Sequence, residues 1–245
     1  MNIPIGVIVN VLSVAIGGII GTLSGNYMSS EFKEKITMIF ACCSFGMGIT
    51  AIVLMQNMPA VILSLILGTI IGITIKLGYI INKGGEFMQK SVSKFIKMKN
   101  THLTEKEFMN SLVTIIVLFC ASGTGIYGSI VSGMTGDHSI LLSKSILDLF
   151  TAAIFACNLG SVISLISLPQ MIIFTILFYC ATFIYPLTTE HIINDFKACG
   201  GLVLFATGFR MLKLTMFPVA DMIPSMIIVM PISYLWETYV APYIS

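Results

Sequence analysis

The chain has 245 residues, 56% of them hydrophobic and only 10% charged, with a formal net charge of +2 and a mean hydropathy of +0.98. Soluble domains carry about 25% charged residues, so this composition cannot clothe a water-exposed surface. It excludes a soluble globular protein and describes an integral membrane one, for which no nucleic-acid partner is expected.

The first charged side chain is Glu31, and charge-free runs then extend from Ile36 to Ile75, from Phe108 to Gly136 and from Leu149 to Thr189. One span needs about 20 apolar residues, so the first and last of these runs each hold a helical pair. Each is interrupted by turn residues around a proline that suits the first turn of a new helix, Gln56-Asn57-Met58-Pro59 and Ser167-Leu168-Pro169-Gln170. The pattern predicts an all-α integral membrane protein, a polytopic bundle of about eight transmembrane helices (seven or eight) at 5–25, 34–56, 59–82, 108–132, 139–165, 169–187, 192–212 and 219–241. Ile and Leu runs without strict alternation argue against a transmembrane barrel. The whole of 1–245 reads as a single transmembrane domain.

Met1-Asn2-Ile3-Pro4 offers no basic residue ahead of the first apolar stretch, which therefore reads as a span rather than a secretory signal. Within it Gly6, Asn10, Ser13, Gly17, Gly21 and Ser24 share one helical face. Small residues let helices approach closely, and Gly17-x-x-x-Gly21-x-x-x-Gly25 strengthens that reading; the Asn10 amide can instead belong to a polar pathway. Gly68-x-x-x-Gly72 in the third helix is a second packing face. The six cysteines fall inside predicted spans without C-x-x-C spacing and read as small packing residues.

With eight spans, the basic residues gather on one side. Lys33, Lys35, Lys76, the Lys83–Lys106 cluster, Arg210 and Lys213 lie there, against Lys197 alone on the other side. The positive-inside bias predicts both termini outside and the basic amphipathic segment 83–107 in the cytoplasm, where Met88, Val92, Phe95 and Ile96 oppose Lys90, Lys94 and Lys97. Ser29-Ser30-Glu31 and Thr188-Thr189-Glu190, Pro59 and Pro218, and Phe45-x-x-Gly48 and Phe205-x-x-Gly208 recur at a spacing of 159 or 160. These matches suggest an inverted 3+3 repeat of 1–82 and 169–243 flanking helices 108–165, the design of many secondary transporters.

The fourth helix contains Ala121-Ser122-Gly123-Thr124-Gly125 near its middle. Glycine weakens a helix there and hydroxyls can serve the freed backbone, so a partly unwound span lining a wet site competes with simple close packing. The loop Gly133–Ser139 then leads into the fifth helix with Asp137 or Ser139 as N-cap. Asp148 lies about 13 Å along that helix at 1.5 Å per residue, near the middle of a core about 30 Å thick. Lys144, Thr151, Phe155 and Asn158 share its stripe. A buried charge costs at least about 2.5–3.5 kcal/mol on insertion scales. Lys144-Asp148 is then either an i,i+4 pair that locks the helix, or a site where Asp148 meets a cation or proton with Lys144 as charge partner or anion contact. The candidate substrate or ion contacts are Asp148, Lys144, Ser122, Gly123, Thr124, Gly125, Thr151, Asn158 and Asn10; no catalytic group, metal or cofactor is expected.

The run Leu118–Ser129, then Gly133-Met134-Thr135-Gly136-Asp137-His138-Ser139-Ile140-Leu141-Leu142-Ser143-Lys144-Ser145-Ile146-Leu147-Asp148, resembles the signature of the domain-of-unknown-function 554 membrane proteins of bacteria. The glycine-rich first helix, Ala198-Cys199-Gly200-Gly201 with Gly208, and Pro224 fit the same pattern. The resemblance implies a multi-spanning protein of the bacterial inner membrane and no particular substrate. The residues favour a secondary transporter or channel for a small solute or ion, with membrane lipid and other copies of the chain as partners. The alternative is a non-transporting scaffold or sensor whose Lys144-Asp148 pair is structural. An intramembrane enzyme is disfavoured, because His102, His138 and His191 all lie in predicted loops and Asp148 lacks an acid-base partner.

Overall fold

The computed structural model describes residues 3–24, 29–93 and 105–243. Its helices are α1 (Ile5–Ser24), α2 (Ser30–Ile52), α3 (Met58–Thr74), α4 (Leu77–Ser93), α5 (Glu105–Cys120), α6 (Gly123–Thr135), α7 (Ser139–Leu159), α8 (Val162–Leu165), α9 (Ser167–Ile184), α10 (Glu190–Met211) and α11 (Val219–Tyr239). Among the described residues there is no strand. Seven segments are long and apolar enough to cross a membrane, or eight when α3 and α4, bent at their junction, count as one. The protein is an all-α polytopic bundle.

It folds as two compact units, each drawn from two stretches of chain: Met1–Ile36 with Tyr79–Thr182, and Thr37–Gly78 with Phe183–Ser245. In the first unit α1 lies along α7. Gly17 and Gly21 have no room for a Cβ because the carbonyls of Leu149 and Ala153 occupy its place, so the backbones touch there. The opposite face of α1 exposes Ile8, Leu12, Ile16, Ile19 and Leu23. Small and polar residues point inward and large apolar ones outward, as expected where the solvent is hydrocarbon. Behind this pair Leu112, Ile115, Ile116 and Phe119 of α5 pack with Ala152, Ala156, Val162, Ile163 and Ile166.

The second unit repeats the device. Gly68 and Gly72 of α3 bring its backbone against Ser225 and Asp221 of α11, while α2 and α10 meet through Gly48 and Gly201. Phe45, Phe205, Phe209 and Phe217 stack with ring centroids 5.0–5.9 Å apart. Hydroxyls in both units fold back on their own helices, as in Ser64 to Ala60 O (2.6 Å) and Ser145 to Leu141 O (2.6 Å), which satisfies them inside the apolar bundle.

Helix directions test the span count. In a chain that crosses with every span, neighbours separated by an odd number of spans run parallel. Gly6 meets Leu141, Gly17 meets Leu149 and Gly21 meets Ala153, so α1 and α7 are parallel. The segments between them are α2, the bent α3–α4 pair and α5–α6. If the bent pair did not cross, these neighbours would have to be antiparallel. Ser44 against Leu204 and Asn57 against Asp195 make α2 and α10 antiparallel, as four intervening spans require. The helix directions therefore agree with eight crossings.

Several boundaries differ from the sequence expectation. The fifth span ends at Leu159 rather than 165, because Gly160 adopts a left-handed φ of 75° and turns the chain. Pro169 breaks nothing: it falls in the first turn of α9, where its missing N–H has no intrahelical partner to lose. The third span is interrupted at Ile75-Lys76, where Lys76 takes a φ of 55°. The residue preceding α7 is His138, without a side-chain cap. Asp137 one step earlier accepts the Ser139 amide at 2.9 Å and its hydroxyl at 2.6 Å.

Candidate functional site

The two features singled out in the sequence, the weakened fourth span and the Asp148 stripe, meet in the first unit. Lys144 and Asp148, one turn apart on α7, are 4% and 7% exposed and form an ion pair. The close approach of α1 places Asn10, fully buried, so that its amide Nδ2 donates to Asp148 Oδ2 at 2.9 Å. Asn10 Oδ1 in turn accepts from Gln170 Nε2 of α9 at 2.8 Å. Gln170 Oε1, at the end of the chain, is buried and has no hydrogen-bond partner among the described residues.

The polarity of this chain follows from the charge at its head. A carboxylate only accepts, so Asn10 must present its NH2 to Asp148 and its carbonyl to Gln170. Gln170 must then spend its NH2 on Asn10 and leave its own carbonyl oxygen outermost. Turning over either amide would set two acceptors against one another. A buried acceptor without a donor costs about 1–3 kcal/mol and a charge left unmatched at the membrane centre at least about 2.5–3.5 kcal/mol; the chain keeps its charge paired and leaves only a neutral acceptor open.

The fourth span does break, between α5 and α6. Ser122 caps α6, its Oγ accepting from the Gly125 amide at 3.1 Å. Lys144 Nζ lies 5.9 Å from the ring centroid of Phe119, the penultimate residue of α5. α9 runs along the break: Cys120 Sγ reaches Ile166 O at 4.0 Å, and the Phe174 ring fills the space a Cβ on Gly125 would need. Gln170 stands one turn from each of these contacts and on the same helical face, level with the break. The last carbonyls of α5 and the first amides of α6 have no intrahelical partners there.

Of the other sequence candidates, Gly123 and Thr124 are buried in the first turn of α6. Thr151 is half-buried on α7 and stands apart from the hydrogen-bonded chain. Asn158 lies on α7 with its side chain outside the described residues, as do residues 94–104 of the basic segment. Among the described residues no three His, Cys, Asp or Glu side chains gather as a metal site.

Two residues escaped the sequence reading. Gln170 falls beside Pro169 at the start of the sixth predicted helix and is not among the expected contacts. Asp195, fully buried in the second unit, was not singled out at all. Its Oδ1 accepts the backbone amides of Gln56 (2.8 Å) and Asn57 (2.9 Å), and its Oδ2 accepts Asn57 Nδ2 (2.9 Å) and the Ser233 hydroxyl (2.5 Å). An apolar groove of about 350 Å³ in the same unit, lined by Leu65, Ile66, Phe217 and Met222 among others, includes no acid.

The fold and this buried polar chain define a polytopic helical membrane protein with an ionisable centre. By its match to the family model described as "Protein of unknown function (DUF554)" over residues 5–234, the chain belongs to that family. It is 41% identical over 237 residues to "Uncharacterized protein YqgA" of Escherichia coli (strain K12), covering 97% of this chain and 99% of that protein. It is 26% identical over 229 residues to "Uncharacterized membrane protein YdfK" of Bacillus subtilis (strain 168), covering 91% and 93%. No solved structure matches it.

Proposed function

We propose that the chain is a secondary transporter or channel moving a small solute or ion across the bacterial inner membrane, with its site at the α5–α6 break and the Lys144-Asp148-Asn10-Gln170 chain. The observation that carries this reading is the buried ion pair beside a discontinuous helix in the first unit. Intramembrane ionisable groups and broken spans recur together where solutes are bound. The protein acts on its solute by passage rather than by reaction, with both termini outside, segment 83–107 cytoplasmic, and lipid and further copies of the chain as partners.

Contacts at the spacing of the proposed inverted repeat support the reading. Asn10 and Gln170, and Ser44 and Leu204, are hydrogen-bonded pairs at a separation of 160. Phe45 packs on Gly208 while Gly48 packs on Phe205, a reciprocal contact at the same spacing. A pseudo-two-fold axis in the membrane plane brings equivalent positions face to face in this way.

A second reading, a scaffold or sensor with a structural pair, is favoured by the burial of all four chain members. Flux measurements on proteoliposomes separate the two. Wild type is expected to move at least one solute or ion, and Asp148→Asn to abolish that flux with an unchanged elution profile. If the double variant Lys144→Met/Asp148→Leu moves the same species at the parent rate, the assignment of the site to this pair fails, and if wild type moves nothing above the protein-free rate, the transport reading fails.

A further inference from the structure

The strongest unexplained feature is the unmet acceptor on Gln170. A pair that served only to lock α7 needs two members, yet here the ion pair extends through Asn10 to a third helix and ends on a buried carbonyl oxygen. We infer that Gln170 Oε1 is the contact for a small, neutral, hydrogen-bond-donating solute, and that Lys144 and Asp148 are fixed charges that set the polarity of the amides rather than an ion site. This inference rests on the transport reading and names its substrate class.

Three considerations select that class. Asp148 is already matched by Lys144, so a visiting cation adds a charge that nothing at the site compensates. Lys144 is engaged by Asp148 and the open position is an acceptor, so an anion leaves that acceptor unmet. A neutral O–H or N–H group adds no charge and supplies the donor that Oε1 lacks. The position agrees, since Gln170 stands level with the break, where the ends of α5 and α6 offer further acceptors and donors. Phe174 closes against Gly125 on one side, which restricts the class to small solutes.

The test uses purified protein in proteoliposomes. Stopped-flow light scattering follows re-swelling after an osmotic step of urea or glycerol, and tracer uptake follows sodium, rubidium and chloride. Wild-type vesicles are expected to re-swell several-fold faster than protein-free ones, with tracer uptake at the protein-free rate. Gln170→Met is expected to return re-swelling to the protein-free rate. Should that variant fail to fold, the selectivity of the wild type decides alone. Passage of ions without urea or glycerol overturns the inference while leaving transport standing, and passage of neither class overturns both. A folded Gln170→Met that keeps the wild-type solute rate overturns the inference as well.

Discussion

Asp195 sets a sharp test of how the second unit is held. Four donors converge on it and no acceptor, the set that an ionised carboxylate satisfies, and two of them are the backbone amides that enter α3. Asp195→Asn keeps one oxygen for the Gln56 and Asn57 amides but turns two charge-assisted bonds into neutral ones, at roughly half the strength. Its new NH2 group then faces Asn57 Nδ2, donor against donor. Losing about 1 kcal/mol at each backbone bond and part of a third interaction gives about 2–3 kcal/mol of destabilisation, roughly a 30- to 150-fold fall in the folded-to-unfolded ratio. Ser233→Ala removes one partner only and should cost about 0.6–1.7 kcal/mol, the range for hydrogen bonds between membrane helices. The chain has one tryptophan, Trp236, on α11 near Ser233. Its fluorescence during titration of mixed micelles with dodecyl sulfate reads this unit directly. Asp195→Asn within about 0.5 kcal/mol of wild type, against the estimate above, would refute the view that the carboxylate ties the α2–α3 turn to α11.

The glycines and the ion pair give two further expectations. Gly21→Leu must push α1 off the Ala153 carbonyl and should lower stability by about 1–3 kcal/mol or more, whereas Gly46→Ala, with nothing near its Cβ position, should leave the melting temperature of the solubilised protein unchanged or slightly raised. Lys144→Met alone strands Asp148 without its cation and should cost about 3–5 kcal/mol; Lys144→Met/Asp148→Leu should recover much of that loss, and equal melting temperatures for the single and double variants would contradict the pairing.

The sequence exposed the head of the polar chain more readily than its tail. Lys144 and Asp148 stand out because charges one turn apart follow a long apolar stretch, and Asn10 because it shares a face with glycines that bring α1 against α7. Gln170 was less legible, since it follows the first-turn proline of a helix, and nothing in the sequence separates a glutamine there that faces the core from one that faces water. Its spacing of 160 from Asn10 was the available signal. Asp195 follows Glu190 and His191 near the start of α10, where an acid carries no sequence signal that sets it apart from a solvated helix end. Only the fold shows that the α2–α3 turn sits over it. The chain reversal at Gly160 lay in a stretch with no proline and one glycine, where neither hydropathy nor composition marks the change of direction.

The two buried acids are held in opposite ways, and the contrast separates a closed network from an open one. Asp195 has no cation beside it and needs none, because backbone amides at the start of α3, an amide side chain and a hydroxyl neutralise it with fixed dipoles. Any movement of Asp195 would break several bonds at once, so it suits an anchor. Asp148 is held by two flexible partners, a lysine on its own helix and an amide on α1, and the chain that begins on it ends unsatisfied. The open position of that network is on Gln170, which can take up a donor without disturbing the charge pair that polarises the amides. The polar chain that starts on Asp148 is thus an incomplete network, while Asp195 serves as an internal fastening of the second unit.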